Sequence, residues 1–273
     1  MSSAENTASN TSDSGISPIV SVEWLRDHLN DPGVLVIDVR ARDAYQAGHV
    51  PGARQLDLSV NRLASSSPGA IETWIGILQG SIRRAGISAD HHVVFYEEFS
   101  GTMAAFGVWL LDAAGLGNGS ILDGGMLAWT RGGGDVSTES VVPTATDTTI
   151  ALNQRVLATA DQILDDLRNG PDTAKRVDAR AGTEVAQGAI PGSAHLDWRH
   201  HLDREGAFRP LSELARIYES FGLDKGDRIA SYCAGGIRAA NTYVVLKALG
   251  YEHLQNYAPS WGEWGSRSDT PVE

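Results

Sequence analysis

The feature that most constrains the fold of this chain is an internal repeat with an offset of 140 residues. Residues 36–41 align with residues 176–181, and the alignment continues without a gap to Asp57 over Asp197. The identical pairs along it are Asp38/Asp178, Arg40/Arg180, Gly48/Gly188, Pro51/Pro191, Gly52/Gly192, Leu56/Leu196 and Asp57/Asp197. Chance does not readily produce such a match. Two copies of a unit this long predict tandem domains, not a solenoid of short repeats.

Each copy has the pattern of an α/β domain, because apolar strand-like runs alternate with helical segments. In the first copy we predict strands at 34–39, 91–96 and 120–122, and helices at 22–29, 41–47, 71–85 and 103–114. In the second copy we predict strands at 176–178, 228–232 and 254–257, and helices at 160–167, 211–221 and 239–249. A further strand is expected near 148–152. This alternation is typical of a mostly parallel sheet that is flanked by helices on both faces.

The domain boundaries are predicted from the repeat and from local composition. Residues 1–17 are rich in Ser, Thr, Asn and Asp and are expected to form a disordered tail. The first domain is predicted at 18–133 and the second at 156–273. The stretch 132–147 is rich in Gly, Ser and Thr, so residues 134–155 are expected to link the two domains.

Composition and charge narrow the class of protein. The chain has 34 acidic and 22 basic residues, and its formal net charge of −12 argues against a nucleic-acid partner and against binding to anionic membranes. No run approaches the roughly 20 apolar residues of a membrane span, and no signal peptide is recognisable, so we expect a cytoplasmic location. A single cysteine excludes an intramolecular disulfide, and no residue spacing suits a structural metal.

The lone cysteine, Cys233, lies in a glycine-rich turn between a predicted strand and a predicted helix. Backbone N–H groups at the start of a helix, together with the positive end of the helix dipole, favour a thiolate over a thiol. Gly235, Gly236 and Arg238 suit an anion cradle better than a hydrophobic core. We therefore predict that Cys233 is a nucleophile. In the first copy, aligned through Tyr96 and Tyr232, Glu97 takes its place, so that copy has no nucleophile there.

Taken together, these features resemble the tandem-domain rhodaneses, which are thiosulfate and 3-mercaptopyruvate sulfurtransferases. The resemblance covers nearly the whole chain after residue 17. It rests on residues 38–40, 45, 48–53 and 122–129 in the first copy and on 178–180, 190–193, 233–238 and 260–264 in the second. It implies that Cys233 takes a sulfane sulfur from a small anionic donor as a persulfide and passes it to a thiol or cyanide, without a metal or organic cofactor. It also implies that the first domain is catalytically silent.

The expected substrate-binding residues surround Cys233. Backbone N–H groups are expected to hold the terminal sulfur at Ala234, Gly235, Gly236, Ile237 and Arg238. The side chain of Arg238 either binds the anionic part of the donor or pairs with a nearby carboxylate. Arg180 has the same two alternatives, with Asp178 as its supporting partner, and the repetition of Arg180 as Arg40 in the other copy favours a structural role.

The donor and two alternative functions stay open at this point. In the family that this chain resembles, basic residues directly after the cysteine are typical of thiosulfate enzymes and Gly-Ser-Gly is typical of mercaptopyruvate enzymes. The uncharged residues after Cys233 therefore favour 3-mercaptopyruvate, although position 235 lacks the hydroxyl group of that type. Arg238 keeps thiosulfate open, and Glu184 stands where larger relatives tend to carry an arginine for the substrate. A rhodanese-like phosphatase or arsenate reductase would need five residues between its cysteine and its arginine, and this chain has four. The other alternative is an interaction module that hands its persulfide to a partner protein. The oligomeric state is not predicted.

Overall fold

The computed structural model describes residues 15–170 and 174–273, so most of the predicted disordered tail lies outside the described residues. The N-terminal domain contains one parallel sheet in the strand order β1-β5-β4-β2-β3. Its strands are β1 (Ile19–Val20), β2 (Val34–Asp38), β3 (Arg54–Gln55), β4 (His92–Tyr96) and β5 (Gly119–Leu122). Its helices are α1 (Val22–His28), α2 (Arg42–Ala47), α3 (Pro68–Arg84), α4 (Thr102–Ala113) and α5 (Gly125–Arg131).

The C-terminal domain repeats this arrangement with a parallel sheet in the order β7-β6-β8-β9. Its strands are β6 (Lys175–Asp178), β7 (Ser193–His195), β8 (Arg228–Tyr232) and β9 (His253–Asn256). Its helices are α6 (Ala160–Asn169), α7 (Gly182–Val185), α8 (Leu211–Ser220), α9 (Ile237–Ala248) and α10 (Ser260–Trp264). A single parallel bridge from Leu157 to Asn256 in β9 takes the place that β1 has beside β5.

Both sheets are covered on both faces, as the uninterrupted apolar strands predict. In β4, Val93 and Phe95 belong to a core that contains residues of α3 and α4, whereas Val94 and Tyr96 belong to a second core that contains residues of α1 and α5. Sheet residues of the C-terminal domain divide in the same way between two cores. The predicted fold class is therefore confirmed. No helix among the described residues is long and apolar enough to cross a membrane.

The two domains meet along α4 and α9, which pack against each other and are almost completely buried. One continuous hydrophobic core runs across this contact from the first sheet to the second. The side-chain amide of Asn241 also donates to the carbonyl oxygens of Ser100 (3.2 Å) and Gly101 (3.1 Å) of the N-terminal domain. α4 follows β4 and α9 follows β8, so both strand-to-helix turns lie at the carboxyl ends of their strands, beside the contact between the domains.

The strand expected near 148–152 was wrong, because the structure has neither a strand nor a helix there. This segment instead runs along the N-terminal domain. The hydroxyl group of Thr148 donates to the carbonyl oxygen of Ile87 (2.7 Å), and the carbonyl oxygen of Thr148 accepts from Arg83 (2.8 Å). The N–H of Ile150 donates to the side chain of Gln79 (3.3 Å). Its polar backbone groups thus find partners without a neighbouring strand.

Candidate active site

Cys233 directly follows β8 and begins the turn that leads into α9. We call residues 233–238 the cysteine loop. Gly236 precedes the helix with φ of 82°, a conformation that strains any residue with a Cβ atom. A side chain at Gly236 would also collide with the carbonyl oxygen of Ala258. Glycine at this position therefore allows the tight turn that points the sulfur at the end of the helix.

The sulfur of Cys233 accepts hydrogen bonds from two backbone N–H groups of the loop. The N–H of Gly236 lies 3.1 Å from the sulfur and the N–H of Gly235 lies 3.4 Å from it. Both groups belong to the N-terminal end of α9, where the helix dipole favours a negative charge. Cys233 is only 1% exposed, so solvent has little access to this residue.

A second turn, after β9, clamps the cysteine loop from behind. The hydroxyl group of Ser260 accepts from the backbone N–H of Cys233 (3.0 Å) and donates to the carbonyl oxygen of Tyr257 (2.7 Å). Ser260 has φ of 56°, the only positive value for a non-glycine residue among those described. Strain of this kind persists only where surrounding contacts enforce it, and it is common at functional sites. The N–H of Trp261 completes the clamp by donating to the carbonyl oxygen of Cys233 (3.0 Å).

The side chain of Arg238 forms an ion pair with Glu184 of α7, which is the second of the two roles expected for it. Its two terminal nitrogens lie 2.6 and 2.8 Å from the two carboxylate oxygens, in a bidentate arrangement. Hydrogen bonds to Glu184 raise the pKa of Arg238, and the nearby Cys233 sulfur raises it further, against the effect of burial. The same contact lowers the pKa of Glu184. The arginine is therefore close to the sulfur, but its charge is already balanced.

Arg180 and Asp178 form a buried pair behind the loop, each with a side chain about 1% exposed. The Arg180 guanidinium donates to Asp178 (2.6 Å) and to the carbonyl oxygen of Gly188 (2.7 Å), and it stacks 4.4 Å from the ring centre of Trp261. Direct contact between Arg180 and a donor was one expectation from the sequence. Its burial and its filled hydrogen bonds favour the structural alternative, with Asp178 as its partner.

One wall of the site is apolar. Cys233 packs with Ala179 and Ala239, and the partly buried ring of Trp198 covers this small cluster. The ring of Trp198 stacks at 6.4 Å with that of Phe99, which comes from the N-terminal domain. The aromatic residues beside Cys233 thus come from both domains.

Two histidines that follow β6 in the chain, His195 and His201, have their hydrogen-bond partners away from the Cys233 sulfur. His201 is buried between the hydroxyl group of Tyr218 (2.7 Å) and the side chain of Asn241 (2.8 Å), and burial lowers its pKa to about 4. The ring of His195 hydrogen-bonds to the carbonyl oxygen of Arg180 (2.9 Å). Neither contact points to a proton-transfer role at Cys233.

In the N-terminal domain, Glu97 occupies the position that corresponds to Cys233. Its carboxylate accepts hydrogen bonds from the backbone N–H groups of Met103 (2.7 Å) and Ala104 (3.0 Å) at the start of α4. Gly101 leaves room for this carboxylate, because a Cβ atom there would collide with it. A side chain of the protein therefore fills the anion-binding end of this helix.

Sequence reasoning missed two contributors to the site. Ser260 lies in a motif that was noted only for its resemblance to other proteins, and nothing in its spacing signals a contact with Cys233. Arg62 comes from the N-terminal domain and reaches over the cysteine loop at Gly235. The internal repeat is aligned only to Asp57 over Asp197, so the comparison of the two copies stops before Arg62.

Known proteins resemble this chain in sequence over most of its length. The family model of the rhodanese-like domain matches twice, at residues 21–131 and 159–267. A thiosulfate sulfurtransferase of Azotobacter vinelandii is 30% identical over 257 residues, which cover 91% of this chain and 94% of that protein. A 3-mercaptopyruvate sulfurtransferase of Escherichia coli K12 is 28% identical over 279 residues, covering 93% of this chain and 97% of that protein. A sulfur carrier protein of Thermus thermophilus is 27% identical over 283 residues, covering 93% and 95%.

Among solved structures, the anaerobic ergothioneine biosynthesis enzyme of Chlorobium limicola superposes with a TM-score of 0.81 at 23% identity. The superposition covers 94% of this chain and 70% of that one. At this identity the likeness concerns the fold alone. The two family matches lie on the two sheets described above, and the duplicated topology and the cysteine turn agree with them. The chain belongs to the rhodanese-like family and carries two copies of its domain.

Proposed function

We propose that the protein is a sulfurtransferase that moves a sulfane sulfur from a small anionic donor to a thiol or to cyanide through a persulfide on Cys233. The observation that carries the proposal is the pair of backbone N–H groups, from Gly235 and Gly236, that donate to the Cys233 sulfur at the start of α9. Such groups stabilise a thiolate before the reaction and a terminal persulfide sulfur after it. The names of the relatives from Azotobacter and Escherichia support the same reaction class.

The chemistry balances with Cys233 as the only covalent participant from the protein. The thiolate attacks the outer sulfur of the donor, and the bond between that sulfur and the rest of the donor breaks. The electron pair leaves as sulfite when the donor is thiosulfate, or as the enolate of pyruvate, which water protonates, when the donor is 3-mercaptopyruvate. The acceptor then attacks the outer sulfur of the persulfide, and the thiolate of Cys233 is released for another cycle.

We propose 3-mercaptopyruvate as the better donor. Thiosulfate carries two negative charges, whereas 3-mercaptopyruvate offers one carboxylate. The pairing of Arg238 with Glu184 removes one positive charge from the loop, and this balance suits the donor with fewer charges. Because relatives of this chain are named thiosulfate sulfurtransferases, thiosulfate is the donor with which 3-mercaptopyruvate should be compared.

The two other functions are less well supported. A phosphatase would need a wider loop and an arginine free to hold a tetrahedral oxyanion, but the Arg238 guanidinium is engaged by Glu184. Delivery to a partner protein is favoured by the relative named as a sulfur carrier, but the 1% exposure of Cys233 suits a small acceptor. Turnover of an aryl phosphate would favour the first alternative, and transfer only in the presence of a protein acceptor would favour the second.

Steady-state transfer to cyanide, with each donor in turn, tests the proposal. We expect Cys233→Ser to lower the rate at least about 1,000-fold, because a hydroxyl group cannot form the persulfide. We also expect a higher kcat/KM for 3-mercaptopyruvate than for thiosulfate. A circular dichroism spectrum of the variant controls for folding. Turnover by the folded serine variant would overturn the mechanism, and a higher kcat/KM for thiosulfate would overturn the donor assignment.

A further inference from the structure

Arg62 of the N-terminal domain lies over the cysteine loop of the C-terminal domain. A Cβ atom built on Gly235 would stand 2.6 Å from one terminal nitrogen of Arg62 and 3.6 Å from the central carbon of its guanidinium. The guanidinium therefore touches the glycine whose N–H donates to the Cys233 sulfur. Arg62 is exposed to solvent, whereas the cysteine beneath this loop is only 1% exposed.

The backbone of Arg62 is held firmly on both sides. Before it, the carbonyl oxygen of Asn61 accepts from the ring N–H of Trp74 (2.7 Å). After it, Leu63 is buried in the core. A few residues further on, Ser66 donates to the carboxylate of Glu263 through its N–H and its hydroxyl group, both at 2.7 Å. Glu263 belongs to α10, the helix that begins at the serine clamping Cys233. The two domains are thus pinned together beside the site.

The guanidinium of Arg62, in contrast to the backbone around it, has no polar partner among the described residues. Among residues 15–170 and 174–273 it makes no hydrogen bond and no ion pair, whereas the other arginines beside the loop each have a carboxylate partner. Those pairs are Arg238 with Glu184, Arg180 with Asp178 and Arg199 with Asp197. An exposed arginine with unused N–H groups, held over a nucleophile, is suited to bind a planar carboxylate or a sulfonate-like group through two parallel hydrogen bonds.

We propose that Arg62 binds the anionic end of the sulfur donor while the sulfur end reaches Cys233, so that the silent domain supplies a substrate-binding residue to the active one. The inference rests on the proposed sulfurtransferase function. It also gives Gly235 a second role, because any side chain there would push the guanidinium away from the loop. With Arg238 balanced by Glu184, Arg62 supplies the net positive charge that offsets repulsion between the thiolate and the donor.

The test follows the loading half-reaction, in which Cys233 gains one sulfur, by rapid quench and intact mass over a range of donor concentrations. Arg62→Gln should lower the second-order loading constant about 10- to 100-fold, mainly through a higher half-saturating donor concentration, because hydrogen bonds to a charged group are lost. Arg62→Lys keeps the positive charge but lacks the two parallel N–H donors of a guanidinium, so its loading constant should lie between those of wild type and Arg62→Gln. Arg216→Gln, at an exposed arginine of α8, removes the same charge away from the loop and should load like wild type.

Two further readouts separate binding from a structural role. Added salt should slow loading of the wild type more than that of Arg62→Gln, because screening weakens an attraction that only the wild type has. Gly235→Ala should slow loading when Arg62 is present and have little additional effect in Arg62→Gln. Gly235 has a negative φ that tolerates alanine, and the atom that must move is the end of a flexible side chain.

Thiosulfate and 3-mercaptopyruvate form the two arms of the experiment, and a loss confined to one of them identifies the anion that Arg62 binds. Loading of Arg62→Gln at the wild-type rate with both donors would overturn the inference and leave the proposed function standing. A wild-type protein that gains no sulfur from either donor would overturn the proposed function, and the inference with it.

Discussion

The two domains present the same strand-to-helix turn and fill it differently. In the C-terminal domain the N–H groups at the start of α9 face the sulfur of Cys233. In the N-terminal domain those at the start of α4 face the carboxylate of Glu97. A carboxylate that belongs to the chain cannot be exchanged, whereas a cysteine sulfur can gain and lose a second sulfur. The two turns thus place a carboxylate that caps α4 in one domain and a cysteine sulfur before α9 in the other.

What the domains share is the scaffold behind each turn. Asp38 pairs with Arg40 as Asp178 pairs with Arg180, and each arginine also donates to the carbonyl oxygen of the glycine eight residues later. The pair is retained in the domain that has Glu97 in place of Cys233, which agrees with a structural role for it in both. The environments of the two arginines differ, because Arg40 also lies 3.4 Å from Glu98, whereas Arg180 stacks on the ring of Trp261.

The largest effect on stability is expected from breaking these pairs. Asp178→Asn leaves the buried charge of Arg180 without a counter-charge, and we expect a loss of about 3–5 kcal/mol in the free energy of unfolding. Asp38→Asn should cost less, because Arg40 is more exposed and keeps Glu98 as a partner. Urea unfolding of the two variants and the wild type measures both losses. Equal losses would mean that the two scaffolds are energetically alike and that Glu98 contributes nothing.

A smaller effect is expected at the internal cap. Glu97→Ala leaves the N–H groups of Met103 and Ala104 without their acceptor, and we expect it to lower the free energy of unfolding by about 1–3 kcal/mol. Glu98→Ala, at an exposed neighbour, serves as the control and should cost well under 1 kcal/mol. An unchanged stability of Glu97→Ala would show that water replaces the carboxylate at no cost.

The pH dependence of Glu97 sharpens this test. Burial raises the pKa of Glu97 above its usual value of 4.5, although the two N–H groups act in the opposite direction. The stability that comes from Glu97 is therefore fully present below the unfolded-state pKa and is lost as the pH rises through the folded-state pKa. Glutamine does not titrate, so the stability of Glu97→Gln relative to wild type should improve from about pH 4 to about pH 7. A trend in the other direction would show that the N–H groups outweigh burial.

The smallest effect is expected from removing the carboxylate partner of Arg238, the arginine of the cysteine loop. Glu184→Gln removes the charge that balances Arg238, and we expect the donor KM to fall about three- to five-fold, in line with about 1 kcal/mol for a partly exposed pair. Glu213→Gln breaks the Arg209 pair on α8 and should leave the KM unchanged. A higher KM in Glu184→Gln would mean that the ion pair mainly keeps the loop in shape.

Sequence and structure agree where local pattern determines the outcome. The repeat predicted two α/β domains, and apolar runs such as residues 34–39 became buried strands because a parallel sheet needs them. The turn at Cys233 was predictable because two glycines and a following helix fall within a few residues. The helix predicted at 71–85 begins earlier, at Pro68, because the fixed φ of proline suits the first turn of a helix.

The sequence did not predict features of the structure that depend on contacts between residues far apart in the chain. The contact of Arg62 with Gly235 depends on the packing of α4 against α9, which no local pattern encodes. Pairing of Arg238 with a carboxylate was one of two alternatives, but its partner, Glu184, was not predicted because only the folded chain brings α7 to the loop. The segment at 148–152 has β-branched residues typical of a strand, but its polar groups are satisfied by α3 and its neighbourhood.

Intact mass spectrometry decides whether Cys233 carries a sulfur atom that the residue in its place in the N-terminal domain, Glu97, cannot carry. Wild-type protein is treated with 3-mercaptopyruvate or thiosulfate, freed of donor and weighed, and the modified peptide is then mapped. We expect a gain of one sulfur on the peptide that contains Cys233 and no gain in Cys233→Ser. Donor consumption by a wild-type protein of unchanged mass, or a sulfur located on any other residue, would contradict it.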